Sequence, residues 1–259
     1  SAWETSINTS LSLFQGYLQV QAEGYREKGR MEQSFSATPE TMTRIERVVG
    51  VKGVSARAIA FALLSSGERT YGASIIGVLP DREAVISTIP GLIRRGRYLA
   101  SAGAEELVIG SSLAKNLRIE VGDELTILGQ GRDGSIAATV CPVVGIFESG
   151  ALDLDRTLVQ MPLESFQELF SMNGEVHALV ITGYQVGEIP VLEKQIRPLV
   201  EEAHSATKLV VLNWEKLLPG LKQAIELDLS AAWLFYFSLI LIVSLSILNT
   251  FLMSVVERT

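Results

Sequence analysis

At 259 residues and 28.2 kDa the chain has room for one large domain or two small ones. Its 22 Lys and Arg against 29 Asp and Glu give a net charge of −7, which excludes the basic face that nucleic-acid binding needs, and 7% aromatics leave little for base stacking. A lone cysteine, Cys141, rules out an internal disulfide, and two histidines leave no Cys/His metal cluster. The mean hydropathy of +0.29 is high for a soluble domain, and its excess is concentrated near the C-terminal end.

Trp3, Ile7, Leu11 and Phe14 recur at helical spacing, predicting an amphipathic helix or coiled-coil seam. At Gly16 the period changes, and Tyr17–Gln21 alternates as a strand does. Thr38, Pro39 and Glu40 supply an N-cap, a first-turn proline and an early acid for a helix bearing Met42, Ile45 and Val49 on one face. Val54–Leu64 and Tyr71–Leu79, split by Ser65-Ser-Gly-Glu68, predict a hairpin. Asp81 is placed to cap a helix with Val85, Ile86 and Ile89, which Pro90-Gly91 stops.

Arg94, Arg95 and Arg97 form a basic knot that reads as a solvated face, since Gly96 and the lack of lysine partners give it no defined geometry. Short strands are expected at Glu106–Ile109, Arg118–Val121, Glu124–Leu128 and Ile136–Phe147, with a helix near Ser112–Asn116 and a tight turn at Gly122-Asp123. Pro162–Phe170 reads as a helix with Leu163, Phe166 and Phe170 inward, ended by Asn173-Gly174. A strand at Glu175–Thr182 leads to a helix at Ile189–Ala203 with Leu192, Ile196 and Leu199 on one face, which Pro198 should kink or shorten. Lys208–Leu212 is a strand, Asn213 caps the next helix, and Pro219-Gly220 interrupts it.

From Leu221 the helical spacing of Leu221, Ile225 and Leu229 runs without a breaker into 28 uncharged residues, Leu229–Val256. As a helix these reach roughly 42 Å, beyond the ~30 Å hydrocarbon core of a bilayer. Trp233, Phe235, Tyr236 and Phe237 cluster at one end as an aromatic belt would. The segment is predicted to be a transmembrane helix. Ser246, Thr250 and Ser254 recur every four residues with Asn249 beside them and Ser238 two turns earlier, a stripe suited to close packing against partner helices. Hydroxyls can instead satisfy their own helix carbonyls, but a lone carboxamide facing lipid is costly.

Catalytic chemistry is not visible. Gly129-Gln-Gly131-Arg-Asp-Gly134 matches GxGxxG, yet Ser135–Phe147 continues as strand where a dinucleotide site needs a helix, so the match reads as a hairpin loop. No P-loop, GxSxG or HExxH stretch occurs. His177 and His204 read as packed or helix-terminal histidines, Asp153 and Asp155 as solvated carboxylates, and Cys141 as a small buried hydrophobe.

The stretch Leu248–Thr259, with Asn249, then Met253-Ser254-Val255, then Glu257-Arg258-Thr259, resembles the exit of the second span in FtsX-like ABC permeases. Glu106-Leu-Val-Ile-Gly110, Leu113-Ala114, Leu117 and Val121-Gly-Asp123 resemble the small inserted lobe of the MacB-type periplasmic core domain, as do Val143–Phe147 and Leu158–Pro162. Gly16–Gln21 and Gly24-Tyr25 fit the first strand after the first span in relatives of the lipoprotein-releasing permeases.

The resemblance implies an α+β architecture, a mixed α/β extracytoplasmic body with an inserted small β-rich lobe, amphipathic stalk helices and one transmembrane helix. It divides the chain into a stalk helix at 1–15 after a first span, body at 16–79, lobe at 80–174, body at 175–220, stalk at 221–230, span at 231–256 and the start of a cytoplasmic segment at 257–259. The implied protein is a non-catalytic permease of the bacterial cytoplasmic membrane, working as a homodimer or with a related permease subunit. ATP and magnesium would sit on a partner ATPase, and a periplasmic acceptor of cargo is a further expected partner. No cofactor, metal or nucleic acid is expected on this chain. Motion would pass by mechanotransmission through Trp3, Ile7, Leu11 and Phe14 and through Leu221, Ile225 and Leu229 to release or export a lipoprotein, peptide or small amphipathic cargo. The competing readings are an extracytoplasmic ligand sensor and an anchored adaptor.

Overall fold

Alternating apolar residues on several short segments and one long hairpin have to bury a common face, and here they do so in one sheet. The computed structural model describes residues 11–203 and 207–256, of which 203, 250–252 and 254–256 are described by their backbone only. The chain divides into two compact units, Ser1–Leu217 and Leu218–Thr259.

In the first unit, β1 (Leu18–Ala22) lies antiparallel between β11 (Ala178–Gly183) and β12 (Leu209–Asn213). The hairpin of β3 (Val51–Ser66) and β4 (Arg69–Val78) turns at Gly67, whose φ of 56° lies in the left-handed region. The remaining strands of the large sheet are β5 (Ile93–Gly96), β6 (Leu107–Gly110), β7 (Glu124–Gln130), β8 (Ile136–Phe147) and β9 (Leu158–Pro162). Their order is β12-β1-β11-β3-β4-β9-β6-β8-β5, and β7 pairs with both β3 and β8. Those last pairings close a ring of β3, β4, β9, β6, β8 and β7, a small barrel that shares its long hairpin with the open half of the sheet. Two strands of residues 80–174, β7 and β9, are therefore hydrogen-bonded directly to β3 and β4. A second, two-stranded sheet joins β2 (Phe35–Ser36) to β10 (Glu175–Val176).

Helix α1 is the short Tyr25–Lys28, and α2 is Pro39–Glu46, where the Thr38 hydroxyl accepts from Thr41 N–H at 3.2 Å. Helix α3 (Pro80–Ile86) follows β4, and α4 (Ser111–Leu117) follows β6. The next two, α5 (Leu152–Thr157) and α6 (Leu163–Leu169), flank β9. Ile189–Ala203 is α7, which packs on β12 and against α2. Asn213 Oδ1 accepts from Lys216 N–H at 3.3 Å and so caps α8 (Trp214–Leu217). One core cluster joins Ile76, Val78, Ile89, Leu99, Val108, Phe147 and Leu158. Ile86 of α3 meets Ala178 and Val180 in another.

Several local expectations are corrected. Arg118–Val121 is not a strand: Arg118 closes α4 with φ 55° and Gly122 turns with φ 98°, leaving too few extended residues to pair. Helix α3 begins at Pro80 with Leu79 at its N-cap position, so Asp81 lies inside the first turn rather than before it. Val85 is exposed, and Ile89 belongs to a separate 3-10 turn. Helix α2 stops at Glu46, which leaves Val49 88% exposed. The Glu175–Thr182 strand is broken at His177, whose ring is needed elsewhere in the core. Val200 rather than Leu199 completes the buried face of α7, and Pro198 stays inside that helix. The described part of the opening segment, Leu11–Gln15, is a single π-helical turn. Trp3, Ile7 and His204 lie outside the described residues.

The second unit is α9, Pro219–Val256, 38 residues without a break. Within it Pro219–Asn249 has a mean hydropathy of 2.3 over its most apolar stretch and is long and apolar enough to cross a membrane. Its large side chains, among them Trp233 at 77% and Ile242 at 66%, are exposed.

Candidate functional site

Two kinds of element matter for a chain whose expected work is to relay movement: the joint by which the incoming segment grips the sheet, and the surfaces left for partners. The first is built around a buried ion pair. Arg57 on β3 is paired across the sheet with Ala178 on one side and Val78 on the other. Glu83 comes from α3, the helix that follows β4 immediately. Arg57 donates to Glu83 through Nε at 3.2 Å and Nη2 at 2.5 Å, and the two side chains are 1% and 0% exposed.

The remaining guanidinium nitrogen, Nη1, donates to the carbonyl of Phe14 at 2.6 Å, and the Phe14 ring lies 4.2 Å from the guanidinium carbon. Glu83 also accepts a long bond from Gln160 of β9 at 3.5 Å, and Gln160 accepts from Tyr98 Oη at 2.9 Å. Burial, with the nearby Glu83 charge, pushes the Tyr98 phenol far above its ordinary range, so it is a fixed donor. Five chain segments meet at this centre. Placing two ions in a dry interior costs several kcal/mol each, which the bonds from all three guanidinium nitrogens and the attraction within the pair offset.

His177, expected as a packed histidine, is one and adjoins the same strand. Its backbone N–H donates to Arg57 O at 2.9 Å, its Nδ1 accepts from Ile59 N–H at 2.9 Å, and Nε2 lies 3.1 Å from Met31 O. Because Nδ1 accepts, the proton sits on Nε2 and points to Met31. Burial lowers its pKa to about 4, so the ring is neutral, and Tyr25 stacks on it at 4.9 Å.

Leu11 is fully buried and Phe14 partly so, both against the sheet unit. Gly16, with φ 71°, turns the chain into β1 so closely that a Cβ there would meet Val180 Cγ1 at 2.5 Å. Leu221, Ile225 and Leu229 follow one another along unbroken α9. Ser238 donates to Phe235 O at 2.8 Å, so its hydroxyl is satisfied within its own helix. Asn249 is exposed and Met253 is 64% exposed. Ser246 lies on the helix. The side chains of Thr250, Ser254 and Val255, and residues Glu257, Arg258 and Thr259, lie outside the described set.

The GxGxxG match is the loop joining β7 and β8. Gly131 N–H donates to Ser135 O and Gly134 N–H to Gly131 O, so these amides serve the turn and not a phosphate. Cys141 is buried and burial raises its thiol pKa. Asp155 is 4% exposed and accepts from Ser149 N–H and Oγ, a structural role rather than the solvated one expected. Among the described residues no group of three or more His, Cys, Asp or Glu is placed to hold a metal ion.

Comparison with known proteins gives consistent results. A family profile described as the MacB-like periplasmic core domain matches residues 4–198. The lipoprotein-releasing system transmembrane protein LolC of Neisseria meningitidis is 22% identical over 205 residues, covering 76% of this chain and 48% of that protein. LolC of Xylella fastidiosa is 27% identical over 117 residues, 43% of this chain and 28% of that protein. The chain thus spans half or less of these relatives' length. Among solved structures, the periplasmic region of MacB from Actinobacillus actinomycetemcomitans aligns with a TM-score of 0.58 at 14% identity, covering 87% of this chain and 98% of that one. The extracellular domain of the noncanonical ABC-type transporter YknZ aligns with a TM-score of 0.56 at 16% identity, covering 76% and 100%. At these identities the structural matches carry the fold.

Proposed function

Because this chain belongs to the MacB-like periplasmic core domain family, we propose that it is the extracytoplasmic body and one span of an ABC transporter permease in a bacterial cytoplasmic membrane. In this reading ATP is bound and hydrolysed on a partner ATPase, and the permease acts as a dimer with itself or a related subunit. Its work is mechanical: movement at the ATPase travels along rigid helix to the body, which releases or exports a lipoprotein, peptide or small amphipathic cargo. The observation that carries this reading is the continuity of α9, which runs from Pro219 through the lower-stalk positions Leu221, Ile225 and Leu229 to Val256 without a break. A continuous backbone hydrogen-bond ladder transmits displacement where a flexible linker would absorb it. The polar stripe of Ser246, Asn249, Thr250 and Ser254 would face partner helices.

The test uses the intact permease with its ATPase in lipid nanodiscs, comparing hydrogen exchange of body amides, including Ile59, before and after vanadate trapping. In the unaltered protein trapping should change protection in the body. Ile225→Pro, which removes a helix hydrogen bond and clashes with the preceding turn, should abolish that change while nucleotide trapping on the ATPase persists. Ile225→Ala should behave like the unaltered protein. An undiminished response in Ile225→Pro would overturn the relay.

A further inference from the structure

The basic knot Arg94, Arg95, Arg97 resolves into two different things. Arg97 is structural: it grips Glu106 through two bonds, at 2.9 and 2.5 Å, and Glu106 also accepts from Ala100 N–H at 2.6 Å. Arg94 and Arg95, on β5, stay 66% and 60% exposed, and their acidic neighbours Glu148 and Glu120 are only loosely met at 3.8 and 3.9 Å. Gly96, with φ 77° and the Val144 carbonyl against the place a Cβ would take, separates the two roles.

What the sequence left missing, a lysine partner and a defined shape, is supplied from elsewhere. Helix α4 packs near β8 and brings Lys115 and Arg118 to the same groove of about 670 Å³, a size within the range of ligand sites. Neither makes an ion pair among the described residues, and Arg118 is held in a left-handed conformation at the end of α4. The groove thus gathers Arg94, Arg95, Lys115 and Arg118 against Glu120 and Glu148, a net charge of +2 on a chain of net charge −7. Ala114, Ile119 and Ile146 beneath it are buried, so what the groove presents is mainly charge.

Two further observations narrow the occupant. Strand β5 is the terminal strand of the large sheet, so its outer edge carries main-chain groups with no strand partner among the described residues. Glu120 and Glu148 lie beside Arg95 and Arg94 in the same lining, so the cations do not form one uninterrupted positive cluster, which disfavours a single compact phosphate and suits a ligand whose negative charges are spaced out. We propose that this groove is the docking site for an extended acidic segment of a partner protein, laid along β5 by strand addition, its carboxylates meeting Lys115, Arg118, Arg94 and Arg95. Main-chain pairing supplies affinity and alternate side chains supply selectivity, while the local positive field steers an acidic partner onto an otherwise acidic protein.

The test takes the full chain in nanodiscs of uncharged phosphatidylcholine and measures fluorescence anisotropy of a fluorescein-labelled six-residue peptide of alternating glutamate and leucine. The peptide should bind saturably and more weakly as salt is raised. The double variant Lys115→Glu, Arg118→Asn turns the groove from +2 to −1 and uses asparagine because it tolerates the left-handed backbone. It should weaken binding by about tenfold or more, the equivalent of about 1.4 kcal/mol, with an unchanged circular dichroism spectrum. The single variant Lys115→Gln should fall between. Equal binding by the double variant would overturn the proposal. So would equal affinity for the peptide with glutamine in place of glutamate, or its displacement by equimolar inorganic pyrophosphate, which would make the groove a simple anion site.

Discussion

The sheet unit and helix α9 use the same apolar alphabet to opposite ends. In the sheet unit Leu18, Ile75, Val108 and Phe147 are fully enclosed, and even a full positive and a full negative charge, Arg57 and Glu83, are taken inside and matched to each other. In α9 no large side chain among the described residues is enclosed: Trp233, Phe235, Ile240 and Ile242 are all more than 60% exposed. Hydrophobicity alone therefore does not tell what a segment does. The sheet unit hides apolar surface from water within itself, whereas α9 has an apolar surface all round that needs a different solvent or other helices. The first unit's specificity lies in its few buried polar contacts, and the second's in its length.

The sharpest way to break that contrast is to remove one half of the buried pair. Arg57→Ala leaves Glu83 buried without its cation and releases the Phe14 carbonyl, and should lower stability by about 3–5 kcal/mol. A urea titration of the full chain in nanodiscs, followed by tryptophan fluorescence, measures this. The double change Arg57→Met, Glu83→Leu should recover most of the loss because no charge is then stranded. If Arg57→Ala alone were nearly neutral, the pair would not be the joint described. A smaller effect is expected in the other unit. Ile242→Arg sets a charge near the middle of the apolar stretch and should raise the free energy of insertion by about 3 kcal/mol, read as the fraction inserted in a translocon glycosylation assay. The sheet unit should keep its urea midpoint, since Ile242 contributes nothing to its core. A drop in that midpoint would mean the two units depend on each other.

Much of the architecture was legible because it rests on local chemistry. The Thr38-Pro39 start of α2, the hairpin of β3 and β4, the Asn213 cap and the unbroken run from Leu221 each follow from residues within a few positions of one another. What escaped was long-range. Arg57 and Glu83 are 26 positions apart, and their pairing depends on α3 folding back over β3. The barrel closure of β7 on the far end of β3 pairs Leu128 with Leu63, which no periodicity encodes. The groove cations come from β5 and α4, so the arginine knot looked unsupported in the linear chain. His177 was legible as packed, but not as the residue that breaks a strand to satisfy Ile59 and Met31.

That histidine also sharpens the comparison by pH, since α9 holds no histidine and the sheet unit holds one in its core. Burial is the main cause that lowers its pKa to about 4, aided by Arg132 and opposed by the Met31 bond and the Glu175 charge. In the unfolded chain the ring titrates near 6.5. Between these values the unfolded state binds a proton that the folded state refuses, so stability rises with pH there. The full contribution is present above about pH 6.5, declines as pH falls toward 4 and levels off below, a loss of about 3 kcal/mol for a shift of this size. Urea midpoints of the sheet unit from pH 7.5 to 4 should show this slope. His177→Gln can accept from Ile59 N–H and donate to Met31 O without titrating, and should flatten that part of the curve. An undiminished slope between pH 6.5 and 4 in His177→Gln would overturn this assignment, since an acid such as Glu106, whose pKa is lowered chiefly by its bonds to Arg97, loses its contribution only in more acid solution, as pH falls through that lowered value. The separation is physical: a buried base that must stay neutral weakens the fold from pH 6.5 downward, while a paired acid weakens it only in more acid solution.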